Sequence, residues 1–72
     1  MNTQKQNKRK LTRVVIYPKD IQLLTGKSYR HALYLNKEIR THYNKQQHQF
    51  LTIHEFAEYT GIHLKIIQNH LP

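Results

Sequence analysis

Lys27, Arg30, Tyr34, Lys37 and Thr41 follow one another at steps of three and four residues. At about 100° per residue, that spacing gathers them on one side of a helix. Three cations and a phenol on one stripe have a definite chemistry. Lysine and arginine donate to phosphate oxygens, arginine also pairs with a guanine edge, and a tyrosine hydroxyl suits either phosphate or base. Ser28 stands where an N-cap would open this helix, and the unpaired backbone N–H groups of a helix start favour phosphate as well. His31 falls in the first turn and Arg40 near the end. The competing reading is an ordinary solvated helix face.

Other chemistries find less support. Gly26-Lys27-Ser28 resembles the end of a phosphate-binding loop, but that motif needs a glycine five residues before Gly26, where this chain has Ile21. The plain reading is a turn glycine, a cap serine and an exposed lysine. None of the six histidines falls in an HExxH or His-x3-His pattern, and no cysteine assists them. They read as scattered polar groups, so no metal site and no cofactor are expected. The four acids are Asp20, Glu38, Glu55 and Glu58. Two read as helix-start residues, and no nucleophile with a base accompanies them, so no enzymatic activity is expected.

The chain has 72 residues and a formal net charge of +8. That length permits one small domain near the lower limit for folding alone. Without cysteine there is no disulfide to staple it. No apolar run approaches the ~20 residues a membrane helix needs. The first residues are polar and basic rather than signal-like, and the expected location is cytoplasmic. Excess positive charge on this scale points to a polyanion, usually nucleic acid. It is unevenly spread. Lys5, Lys8, Arg9, Lys10 and Arg13 precede residue 14 with no acid among them, whereas residues 46–72 hold Lys65 against Glu55 and Glu58. The first two-thirds should face the polyanion.

Residues 1–10 contain no apolar residue after Met1, and too little burial to offset chain entropy makes them an expected disordered arm. Lys8, Arg9 and Lys10 would lie along phosphates, or the arm is simply solvated. Residues 11–72 form the domain. Leu11–Tyr17, rich in β-branched residues, predicts a short strand that pairs through Val14–Ile16 with Phe50-Leu51. Pro18 opens a helix to Leu24, with Asp20 in its first turn, and Gly26 ends it. A second helix runs from Ser28 to about His42. Tyr29, Ala32, Leu35, Asn36, Ile39 and Tyr43 make its core side, opposite the basic stripe. Residues 44–49 read as a loop. Thr52 and Glu55 make a capping box for a third helix, which Gly61 stops, and Ile62–Leu71 is a last short helix.

The two halves repeat at an offset of 35. Asp20 falls on Glu55, Ile21 on Phe56, Leu24 on Tyr59, Thr25 on Thr60 and Gly26 on Gly61. Lys27, Tyr29 and Arg30 become Ile62, Leu64 and Lys65, so the first copy is dressed for phosphate and the second mainly for packing.

The segment Phe50–Leu71 resembles the opening of excisionase and MerR-type DNA-binding domains through Leu51, Thr52, Glu55, Ala57, Gly61 and Ile62. That resemblance implies a short helix, a glycine turn and a groove helix. The family's groove helix usually carries arginine where residues 63–70 offer Lys65, so the likeness implies topology more than DNA contact by the last helix. The whole chain, through YPKDI…TGKS and HQFLTIHEFAEYTG, also resembles small proteins of Bacteroidetes-type bacteria, which implies no particular activity.

The expected fold is mainly α: two helix-turn-helix units, about four helices, with at most one short two-stranded β pairing. The expected function is duplex DNA binding of helix-turn-helix type, by a transcriptional regulator or an excisionase-like accessory factor. Helix 28–42 would lie in the major groove. Lys27, Ser28, Arg30, His31 and Tyr34 would reach bases or nearby phosphates, and Lys37, Arg40 and Lys8-Arg9-Lys10 would neutralise phosphates. Helix 62–71 is the candidate surface for a homodimer or a protein partner. The alternative is a protein-interaction adaptor of a mobile element or phage without DNA contact. RNA binding is a third reading.

Overall fold

A computed structural model describes residues 13–72, which form four helices: α1 Pro18–Thr25, α2 Tyr29–His42, α3 Ile53–Thr60 and α4 Leu64–His70. The basic arm expected over residues 1–10 lies outside the described residues.

Local chemistry sets each helix boundary. Proline opens α1, and the Asp20 carboxylate accepts the Tyr17 backbone N–H at 2.8 Å. The Ser28 hydroxyl accepts the His31 N–H at 3.1 Å and opens α2. Thr52 and Glu55 cap α3 reciprocally, each side chain accepting the other's backbone N–H at 3.0 Å. His63 Nδ1 accepts the Lys65 N–H at 3.1 Å and opens α4. Gly26 at φ 73° and Gly61 at φ 80° end α1 and α3 in the left-handed region, where a side chain would be strained.

The 35-residue repeat persists at atomic detail. Ile16 and Leu51, Ile21 and Phe56, and Ala32 and Ile67 are three matched pairs, and all six residues are buried in one core with Ile39 and Ile53. Thr25 Oγ1 donates to the Ile21 carbonyl at 2.8 Å, and Thr60 Oγ1 to the Phe56 carbonyl at 2.7 Å. Each threonine oxygen then accepts an N–H two residues on, from Lys27 and Ile62, both at 3.2 Å. The apolar faces of the two units thus close on each other, and the described residues make a mainly helical fold of two stacked helix-turn-helix units.

Three expectations change in detail. The strand pairing reduces to one antiparallel bridge, Val15 with Thr52, flanked by Ile16 N–H to the Leu51 carbonyl at 3.0 Å and Ile53 N–H to the Val14 carbonyl at 2.8 Å. It goes no further because α1 begins at Pro18 and α3 at Ile53, so both segments turn helical just past the crossing. Tyr29, assigned to the core side, is 46% exposed. It is the first residue of α2 and sits about 80° round the helix from Ile39, at the edge of the buried face, with the Lys19 ammonium 5.9 Å from its ring centre. The last helix is shorter than Ile62–Leu71; both of those residues flank it and pack partly against the core.

Candidate nucleic-acid interface

The inner side of α2 is fixed by Ala32 and Ile39, both fully buried, with Leu35, Asn36 and Tyr43 half-buried. This orientation turns the opposite side outward. Lys27, Ser28, Arg30, His31, Tyr34, Lys37 and Thr41 are all exposed, Tyr34 to 70%. Among the described residues, the stripe expected from spacing is therefore present as one exposed surface.

The acid bordering this stripe is engaged elsewhere, and so is an acid of α3. Glu38, on the flank of α2, accepts the Tyr59 hydroxyl at 2.6 Å, and this bond raises the Tyr59 phenol above its ordinary value. Glu58 accepts the Tyr43 hydroxyl at 3.1 Å. Burial, assisted by that bond, raises the Tyr43 phenol. The His42 ring lies edge-on between the rings of Tyr43 and Tyr59, at 4.8 and 5.0 Å. These contacts lock α2 to α3 and orient its outer face.

The two cap acids are each held by a cation. Arg13 makes a two-pronged pair with Asp20, both contacts at 2.9 Å, and Asp20 is only 6% exposed. The Arg13 hydrogen bonds hold the Asp20 carboxyl below its usual range against the opposing effect of burial. In the second unit Lys45 reaches Glu55 at 2.8 Å. Burial pushes the Glu55 carboxyl up most strongly of any single influence, yet its bonds to Lys45 and Thr52 together bring it below the ordinary value.

Arg40 has a different place from the other cations of its helix. Its guanidinium donates to the carbonyls of Gln46, Gln47 and Gln49 at 3.1, 2.8 and 3.2 Å. It shapes the loop between α2 and α3, which starts at Asn44 with a left-handed φ of 55°. Lys8, Arg9 and Lys10 lie outside the described residues.

Sequence reasoning missed Leu33. It is 47% exposed and follows Arg30 by three residues and precedes Lys37 by four. The same spacing rule that found the cations places it beside Arg30 and Lys37, at the edge of the stripe. On α4, Ile67 is in the core, while Lys65, Ile66, Gln68 and Asn69 face outward.

Among the described residues, no three His, Asp or Glu side chains come together to hold a metal ion. No helix among them is long and apolar enough to cross a membrane. In comparison with known proteins, the chain matches no family model, no curated protein and no solved structure.

Proposed function

We propose that this chain binds duplex DNA through the outer face of α2, as a helix-turn-helix regulator or an accessory factor of the excisionase and MerR kind. One observation carries this reading: Lys27, Ser28, Arg30, His31, Tyr34 and Lys37 share an exposed face whose opposite side is buried. A helix of 14 residues is about 21 Å long, and the B-DNA major groove, about 12 Å wide, admits such a helix. Arg30 and Tyr34 contact base edges, and Lys27, Ser28 and His31 hold the phosphate nearest the helix start. Lys37 neutralises a second phosphate, and Lys8, Arg9 and Lys10 add cationic contacts before Arg13. Arg40, with its N–H groups on loop carbonyls, positions rather than contacts. No cofactor takes part. One groove helix is a small footprint, so a homodimer or a partner protein completes the site, with exposed Ile66 on α4 as the contact.

Exposed Leu23, at 66%, and Ile66, at 51%, favour a second reading, an adaptor that binds protein alone. A salt titration on duplexes selected from a random pool separates the two. Releasing counterions from about four to six phosphates gives a slope of log affinity on log salt of about −4 to −5. Replacing Lys8, Arg9 and Lys10 by alanine makes that slope shallower by about 2 to 3. A chain that enriches no duplex and shows no salt-dependent binding is not a DNA-binding protein.

A further inference from the structure

Leu33 is an apolar side chain, 47% exposed, set among cations. Arg30 precedes it by one helical step, Lys37 follows by another, and Tyr34 stands beside it at 70% exposure. Isolated exposed leucines are common and call for no explanation by themselves. This one differs in position: it lies in the first half of α2, on the flank of the cationic face that carries Arg30 and Lys37. A surface that touched only phosphates would gain nothing from a branched alkyl group there. A major-groove surface does gain, because each thymine presents its C5-methyl group on the groove floor, and apolar contact with that methyl is a recognised mode of base readout.

We infer that Leu33 reads a thymine methyl, and that Arg30 reads a guanine close beside it. The inference rests on the proposed DNA binding and names the sequence feature such binding would select. Residues three apart on one helix face stand about 5–6 Å apart, against about 3.4 Å between successive bases of a strand. The thymine and guanine are therefore separated by one or two base steps. The charge of the face favours DNA as the occupant over an apolar protein surface: Arg30 and Lys37 lie one helical step before and after Leu33, and Glu38, an acid of the same helix, is bonded to Tyr59.

The test uses the full chain and a duplex selected from a random pool. Each thymine is replaced in turn by deoxyuridine, which keeps the base pair and lacks the methyl, and affinity is read by fluorescence anisotropy. The wild-type chain should lose about fourfold at one thymine lying within two steps of a guanine, the effect of one buried methyl. Leu33→Ala should bind the thymine and uracil duplexes equally, with unchanged helicity by circular dichroism. Wild-type binding that is indifferent to every methyl, or an undiminished methyl effect in Leu33→Ala, overturns the role of Leu33 and leaves DNA binding standing. Loss of an oligomer in Leu33→Ala assigns the residue to protein contact and also overturns it. Failure of the wild-type chain to bind any duplex removes the DNA reading itself.

Discussion

The α1–α2 and α3–α4 units are built from the same local devices and finished differently. Both begin with an acid accepting the cap residue's N–H, both end the first helix on a left-handed glycine, and both tie a threonine back into the turn. Their outer faces then part. Lys27, exposed, corresponds to Ile62, half-buried; Leu33 and Tyr34 correspond to Gln68 and Asn69. α2 also runs for 14 residues and α4 for 7. Caps, turns and buried positions specify the unit, and the outward positions are left open to differ. One copy is free to carry cations because the other supplies its core.

The largest effect that could break this comparison is in the core. Ile21 and Phe56 occupy matched positions, and both are fully buried in one cluster. Phe56→Ala should cost about 3–5 kcal/mol and Ile21→Ala about 2–5. A domain this small holds roughly 3–5 kcal/mol in total, so Phe56→Ala should be largely unfolded by circular dichroism. Ile21→Ala should lower the urea midpoint in a single transition. Two separate transitions would mean that the units fold independently and that the shared core is not the link.

A smaller effect sharpens the comparison at the caps. Asp20 and Glu55 both lie below their ordinary values of 3.8 and 4.5. Below those values the unfolded chain binds protons that the folded chain resists, so stability rises with pH there. Stability from these two groups should be fully present above about pH 5 and fade as pH falls through the folded values. Asp20→Asn should flatten the acid limb of a urea-midpoint profile more than Glu55→Gln, because Asp20 is the more buried and has a two-pronged arginine partner. Equal slopes would show that Arg13 adds nothing beyond what Lys45 supplies.

Much of this was legible in the sequence because it is local. Pro18, Ser28, the Thr52–Glu55 pair, Gly26 and Gly61 act within four residues of themselves, and each marks the boundary it was expected to mark. The cationic face was legible through its period alone. What escaped depends on how distant segments meet. Tyr29 lies at the margin of a buried face, and only the placement of α1 decides which side it takes. The Arg40 bonds to carbonyls six to nine residues ahead require the loop's path. The Lys45–Glu55 pair follows from that same path. The expected strand failed to extend because two helix starts, each correctly read, left room for only one bridge.

Arg30 and Lys65 stand at the same place in the two units, are both exposed cations, and are set in different faces. Reversing each charge separately, as Arg30→Glu and Lys65→Glu, and measuring anisotropy on one selected duplex at fixed salt tests the division of labour most directly. The account predicts that Arg30→Glu abolishes binding while Lys65→Glu changes affinity by less than about threefold, both chains keeping their helicity. Equal losses, or a loss confined to Lys65→Glu, would place the DNA surface on the second unit or across both and contradict it.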